Sequence, residues 1–399
     1  MSMIPPVTRS DMLRGRRASR RTYLLRRTAA AGILVVILIV VVVGISSIFS
    51  GSPNGASSTP STIPVTTTTV ALSPVTLTAV GDMDMGNTPN LAPNASTYFS
   101  NVIGALKAPI EFGNLEGTLT DTTSGSKCGA NSSACYAFKN PPQFAQYYRA
   151  AGFNVLNSAN NHSSDFGSQG VVDTAAALKA AGITQAGMPG QIGIITEGTS
   201  KIAFCDFAPY PSTNNLVDPA AESALIAKAK TLANIVVVYM HAGAEGTAAT
   251  HVTGQTETYY GENRGNAEAF AHSAIDDGAA LVIASGPHVD RAMEWYKNHL
   301  IAYSLGDFAS YNNFSTYSIM GISGILRVQL SASGQYISGS WASTVLAGQG
   351  QPAMDPANQS ASLISQLSRS DFGANGVTVA ANGTLVLPAS AQTPNAQKR

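Results

Sequence analysis

Five times along this 399-residue chain a short, mostly apolar run ends on or just before a side chain that can hold a metal. Val75–Val80 leads into Gly81 and Asp82, and Pro109–Phe112 into Asn114, Leu115 and Glu116. Phe153–Leu156 leads into Asn160, Asn161 and His162. Ile235–Met240 ends on His241, and Ala279–Ile283 runs into Ser285, Gly286, Pro287 and His288. Runs this short, several rich in Val and Ile, read as strands buried in a parallel sheet. Ligands of such sheets bind beyond the carboxyl ends of the strands. Asp, Glu, Asn and His placed there converge on one edge, which is how an α/β fold builds a metal centre.

Between and after these runs the pattern alternates. Helices are expected at Phe99–Leu106, Pro141–Ala151, Gly170–Ala181, Pro219–Leu232 and Asn266–Asp277. Several carry the end signals of helices: Pro at a start, Gly just past an end, and Glu222 early with Lys228 and Lys230 late in one of them. Further strands are expected at Ile202–Phe207, Ala292–Tyr296, Leu300–Tyr303, Gly321–Leu330 and Tyr336–Val345. An α/β first part and a more antiparallel later part suit a two-sheet sandwich flanked by helices.

The overall balance of 23 basic and 23 acidic residues hides a segregation of sign. Residues 1–27 hold eight Arg and one Asp, leaving 15 basic and 22 acidic residues for the rest. With no basic stripe outside that head, nucleic-acid binding is not expected. Ala29–Phe49 is uncharged and almost wholly apolar over 21 residues, against the roughly 20 needed to cross a bilayer core. Arg26 and Arg27 flank its start, so the positive-inside rule puts the head (1–28) in the cytoplasm and the rest outside. Residues 29–49 therefore read as a single-pass signal anchor. A cleaved twin-arginine export signal, suggested by Ser19–Leu25, stays open. Residues 50–73, rich in Ser, Thr and Pro, read as a stalk. Residues 74–350 are long enough for one large α/β domain. Residues 351–399 read as a polar extension, with a small hairpin at Gly376–Leu387 and a disordered end.

Cys128 and Cys135 bracket a turn-rich loop, and outside the membrane a disulfide between them is expected. Cys205, within a predicted strand, reads as a buried small residue.

Asp82 and Asp84 are placed to chelate one metal beyond a tight turn at Gly81, the competing account being a solvated turn. Glu116 has two oxygens with which to bridge two metals, or it forms a loop ion pair. Asn161 offers an amide oxygen to a hard metal while His162 points at substrate; otherwise the segment is a polar turn capping the next helix. His241 and His288 sit where a polar ring needs a partner. His251 and His299 read as surface residues and His272 as structural. The metal candidates are thus Asp82, Asp84, Glu116, Asn161, His241 and His288, and the catalytic candidates His162 and Asp165.

Six segments, in order, resemble the CapA family of poly-γ-glutamate capsule synthesis proteins, which share a fold with calcineurin-like metallophosphatases. They are Ala79–Asp82, Asn114–Gly117, Ala159–Gly167, His241–Glu245, Gly286–Val289 and Tyr303–Phe308. In the wider metallophosphatase fold, strand ends supply Asp-x-His, a bridging Asp, Asn-His, a lone His and a final His-x-His. Asp82 resembles the first ligand, Glu116 the bridge, Asn161 the Asn, His162 the substrate-facing His, and His241 and His288 the last two. The chain departs from the pattern with Asp84 and Gly286 where His is expected, Asp307 in place of Asn, and Ala242 and Gly246 in place of aromatic residues. The resemblance implies one or two divalent ions (Mn, Fe or Zn), with Gly286 weakening the second site. It also implies action on a cell-surface polymer, poly-γ-glutamate or a related one, with other capsule-synthesis subunits as candidate partners. A metal-dependent hydrolase is the leading expectation; a metallophosphoesterase and a non-catalytic polymer-anchoring subunit are its rivals.

Overall fold

A computed structural model describes residues 72–129 and 135–392. The expected Arg-rich head, signal anchor and most of the stalk lie outside the described residues. Among the described residues no helix is long and apolar enough to cross a membrane.

Strands β1 (Val75–Asp84), β2 (Ile110–Leu115), β3 (Val155–Asn157) and β4 (Thr184–Ala186) lie side by side and parallel. The chain then enters a second sheet. There β5 (Gly193–Glu197) is antiparallel to β6 (Ser200–Phe207), and β6, β7 (Ile235–His241) and β8 (Leu281–Ser285) are parallel neighbours. The hairpin of β9 (Met293–Tyr296) and β10 (His299–Ala302) completes it, with β10 parallel to β8. Strand β11 (Asp307–Ser310) returns to the end of β1. The antiparallel strands β12 (Ile322–Leu330), β13 (Tyr336–Ala347) and β14 (Gln351–Met354) extend the first sheet beyond β1. The result is one eight-stranded and one six-stranded sheet.

Helices α1 (Phe144–Ala151) and α2 (Gly167–Ala180) cover the outer face of the first sheet. Helices α3 (Pro219–Leu232) and α4 (Ala267–Asp277) cover the outer face of the second, and α5 (Gln359–Phe372) packs against β9 of the second sheet and β12 and β13 of the first. Alternation along each strand divides its side chains between two apolar layers. Ile202 and Phe204 of β6 face the space between the sheets, where Phe204 stacks on Phe112 of β2 at 5.4 Å. Ala203, Cys205 and Phe207 face the helices. The expected sandwich of two helix-flanked sheets is what the chain forms.

Local signals explain the best-matched elements. Helix α3 has the expected bounds, with Asp218 capping Ala221 N–H and Pro219 at its first position. Helix α4 is capped by Asn266 and stopped by the left-handed Gly278.

Some expectations need correction. Phe99–Leu106 is helical only over Ile103–Leu106. No tight turn occurs at Gly81: β1 runs on through Asp82 to Asp84. Gly81 is there because β1 and the entry to β11 nearly touch; a Cβ would lie 1.9 Å from the Gly306 carbonyl oxygen. Residues 351–392, set apart in the sequence by polarity alone, supply β14, α5 and a short hairpin (Thr378–Val379 with Leu385–Val386). Ile364 and Leu367 of α5 are buried in the two apolar layers that border the second sheet. The last seven residues lie outside the described ones.

The Cys128–Cys135 disulfide is formed, and Cys205 is a buried free thiol. His251 is exposed and pairs with Asp371. His272 stacks on Tyr296 and pairs with Glu294, a structural role. His299 is half-buried, its Nδ1 3.0 Å from the Ala280 carbonyl oxygen.

Candidate metal centre

The carboxyl ends of β1, β2 and β3 in one sheet and of β7 and β8 in the other meet at a common edge. Ser285, last in β8, donates a very short hydrogen bond to Asp82 Oδ1, and Gly286 N–H donates to Oδ2 at 3.2 Å. These contacts join the two sheets at the site.

Asn114 is its hub. On β2, two residues before Glu116, its Nδ2 donates to Asp82 Oδ1 (2.6 Å) and to Glu116 Oε2 (2.5 Å). Its Oδ1 accepts from Asn157 and Asn160. One amide thereby holds two carboxylates at fixed separation and takes its own orientation from two more amides.

The carboxylates and imidazoles form two groups that share Asp82. Ligand atoms of Asp82, Glu116 and His241 lie within 4.8 Å of one another, and so do those of Asp82, His288 and Asp307. Glu116 Oε1 is 3.8 Å from His241 Nε2 and 3.9 Å from His162 Nε2. His288 Nδ1 is 2.7 Å from Asp307 Oδ1 and 3.3 Å from Asp82 Oδ2. Asn161 is half-buried beside His162. Asp84 belongs to neither group: it accepts from Asn313 behind β1.

Burial sets the charge states. It raises Asp82 above the usual carboxylate range against the pull of His288, and raises Glu116 well above it, with Asp82 adding to the effect. Burial lifts Asp307 to about 7 although His288 opposes it. Burial also pushes His241 well below its ordinary value, so its ring is neutral. For His288 burial disfavours the charged ring, but Asp307, Asp82 and Glu245 together outweigh it and the value rises well above normal. His162 is lowered by burial, with Asp165 opposing.

Four buried atoms of the candidate ligands lack a hydrogen-bond partner: Glu116 Oε1, Asn161 Oδ1, His241 Nε2 and Asp307 Oδ2. The first, second and fourth are oxygen acceptors. The third offers a lone pair when the ring carries its proton on Nδ1, which lies 3.3 Å from the Tyr239 hydroxyl. Buried, unpartnered acceptors among crowded carboxylates are costly unless a cation joins them. Mixed O and N donors suit a divalent ion of the Mn, Fe or Zn type. The residues present fit such an ion.

Gly286 is more than a lost histidine. It has φ +111°, and a Cβ there would come within 3.1 Å of the His241 ring. A side chain at 286 conflicts with His241 as placed, and Asp307 supplies the carboxylate that completes the group with His288 and Asp82.

His162 lines the edge opposite, its Nδ1 2.8 Å from Asp165 Oδ2 and its ring stacked on Phe138 at 4.2 Å. Asp165 stands behind His162. Lys127 pairs with Asp165 at 2.6 Å, and Arg264, buried, pairs with Glu245 at 2.9 Å. Sequence reasoning missed Asn114, Ser285, Lys127 and Phe138 as parts of the site. The i, i+2 spacing of Asn114 and Glu116 was a usable signal for a shared face. Lys127 carried none, because only the fold brings it near His162.

The family description "Bacterial capsule synthesis protein PGA_cap" matches residues 76–312, which include every residue of both groups. The "PGA biosynthesis protein CapA" of Bacillus subtilis (strain 168) is 31% identical over 173 residues, 39% of this chain and 42% of that protein. The "Capsule biosynthesis protein CapA" of Bacillus anthracis is 30% identical over 180 residues, 40% of this chain and 41% of that one. The matches thus span about two fifths of the length of these relatives. Among solved structures, a putative 5′-nucleotidase from Staphylococcus aureus aligns with TM-score 0.41 and 14% identity, covering 74% of this chain and 58% of that one.

Proposed function

The chain belongs to the bacterial capsule synthesis protein (PGA_cap) family, and on that premise we propose that it is a metal-dependent hydrolase acting on a cell-surface polymer. Poly-γ-glutamate or a related γ-linked polymer is the substrate class, and the site faces the outside of a membrane that the N-terminal segment anchors. One observation carries the reading. Two buried ligand groups share Asp82 at the meeting edge of two sheets, and their free lone pairs belong to Glu116, His241 and Asp307.

Asp82, Glu116, Asn161 and His241 would hold one divalent ion, and Asp82, His288 and Asp307 a second. When bound, such an ion supplies Lewis acidity and lets water act as a nucleophile near neutral pH. The chain's own residues supply the rest. Asn114 fixes the spacing of Asp82 and Glu116. Asp165, accepting from Nδ1 of His162, turns Nε2 toward the Glu116 side of the site. Cleavage of an amide needs a proton on the departing nitrogen; the neutral His162 ring, with its proton on Nδ1, would first take one at Nε2 from the attacking water and then pass it to that nitrogen. Phe138 against one face of the ring limits water there.

The test is elemental analysis of the purified protein combined with a hydrolysis screen of γ-glutamyl amides and phosphate esters. Bound Mn, Fe or Zn with amide turnover supports the proposal. Turnover of phosphate esters alone moves the assignment to a phosphoesterase. Absence of metal and of turnover leaves a polymer-anchoring subunit as the better account.

A further inference from the structure

We propose that the Cys128–Cys135 disulfide closes a collar that holds His162 in its working orientation, so that reducing it disables His162 while leaving the metal ligands in place. This rests on the hydrolase reading for its consequence, but not for its geometry.

Both arms of the disulfide loop end on one residue, Asp165, which is fully buried. From the arm before Cys128, Lys127 donates its backbone N–H to the Asp165 carbonyl oxygen at 2.7 Å, and its ammonium forms an ion pair with Oδ1 at 2.6 Å. The same ammonium donates to the Asn161 carbonyl oxygen at 3.0 Å. From the arm after Cys135, Phe138 donates its backbone N–H to Asp165 Oδ2 at 2.6 Å. Its ring lies on His162. Asp165 Oδ2 is also the atom that faces His162 Nδ1. The imidazole therefore lies between the Phe138 ring and Asp165, which residues 127 and 138 hold through three contacts, and the disulfide lies between those two positions.

The Lys127 arm is the more loosely held of the two, because Phe138 is buried and its carbonyl oxygen also accepts from the Thr118 N–H and hydroxyl. Residues 121–129 are mostly exposed, and Lys127 itself is exposed. Tying the arms together three residues before Phe138 and one after Lys127 removes most of the freedom the loop would otherwise have. Without the bond, Lys127 regains the conformational entropy of an exposed lysine, and its pairing with Asp165 has to compete with water. Of the proposed metal ligands, Asp82, Glu116, His241, His288 and Asp307 sit on strand ends and adjoining turns away from the collar, where Asn114 and Ser285 hold the carboxylates; Asn161 meets the collar through its backbone carbonyl, not through the side-chain oxygen that would face the ion.

Both cysteines are half-buried beside exposed neighbours, so a dithiol reductant has access. Its thiolate attacks one sulfur, forming a mixed disulfide and releasing the other cysteine as a thiol. Its second thiol then closes the reductant's own disulfide and releases the second cysteine, a net transfer of two electrons and two protons.

The experiment compares the oxidised full-length chain, the chain reduced with dithiothreitol and then desalted, and the Cys128→Ser/Cys135→Ser variant. Amide hydrogen exchange at Lys127 and Phe138, bound metal and γ-glutamyl amide turnover are measured on each. The expected result is faster exchange at both amides, larger at Lys127, with unchanged metal content and a kcat lower by about 10- to 100-fold, at or below the lower end of what a positioned acid contributes because His162 is displaced and not removed. Lys127→Met, which loses the pairing with Asp165, is expected to behave like the reduced chain. Equal exchange at Phe138 and equal kcat with and without the disulfide overturn the proposal, and so does loss of metal on reduction. If the oxidised protein turns over nothing while exchange still responds to reduction, the collar stands and the hydrolase reading fails.

Discussion

His241 and His162 are both buried imidazoles within 4 Å of the same Glu116 oxygen, yet their partners assign them different work. His241 Nε2 has no hydrogen-bond partner and the ring is held neutral by burial, the state a metal ligand needs. His162 is backed by Asp165, as a proton-transfer group is. His241→Ala and Glu116→Gln are therefore expected to lower bound metal several-fold by elemental analysis. His162→Gln retains the metal and lowers kcat by roughly 10²- to 10⁴-fold; equal metal loss in all three variants would contradict this division of roles. The same residues set a pH dependence. Asp307 titrates at about 7 and His288 is raised well above its ordinary value, so in the metal-free site both hold protons below neutrality. Binding an ion expels those protons, so affinity rises with pH, by up to about tenfold per unit for each proton released. Calorimetric titrations at pH 6, 7 and 8 should show that rise, and Asp307→Asn should make it shallower, because it removes one titrating group and the main support for the proton on His288.

Helices α3 and α4 pack together behind the second sheet, and Glu222 of α3 is buried there with Ser273 of α4 as a hydrogen-bond partner. Burial lifts its pKa to about 8 from the ordinary 4.5. The sign of the linkage follows. The folded chain keeps the proton up to about pH 8, whereas the unfolded chain releases it near the ordinary glutamate value. The stabilisation is complete below that lower value and is lost as pH rises through 8. Thermal midpoints should thus fall between pH 6 and pH 9, and Glu222→Gln, which titrates nowhere in this range, should flatten that part of the curve. An unchanged slope in the variant would assign the fall to other groups. At the same scale, the end signals of α3 and α4 were legible in sequence because caps are local chemistry: Asp218, Pro219, Asn266 and Gly278 act within one turn. Helix α5 was not legible. Its Ser-rich sequence looks polar, and Ser360, Ser365 and Ser368 are buried because they meet specific partners on other elements or on the helix itself.

At the scale of the whole molecule, the site exists because two sheets present their strand ends to one another. The second sheet gives His241 and Ser285, the first gives Asp82, Asn114 and Glu116, and the return strand β11 gives Asp307. A disulfide among the described residues accords with the proposed location outside the membrane. The Arg-rich head and the 21-residue apolar stretch extend that proposal to a single-pass topology. A reporter fused to the C-terminus should be active outside the membrane, with a cysteine placed in the head shielded from impermeant labels. Labelling of that head cysteine in intact cells would reverse the orientation, and release of the chain into the soluble export fraction would favour a cleaved signal.

The sandwich class, most of its central strands and helices, the disulfide, and the strand-end positions of Asp82, Glu116, His241 and His288 were legible from the residues alone. Those follow from periodicity, caps and short apolar runs, which act over a few residues. Only the tertiary structure decided which of these side chains share a site. It turned Asp84 away to Asn313, put Asn114 at the hub, and brought Asp307 in from a strand 225 residues after Asp82 to stand with His288. It also closed position 286 by placing the His241 ring against it, and carried Lys127 and Phe138 to Asp165. Each of these depends on long-range approach of backbone segments, fixed by how two twisted sheets pack, and no local pattern of residues encodes that distance.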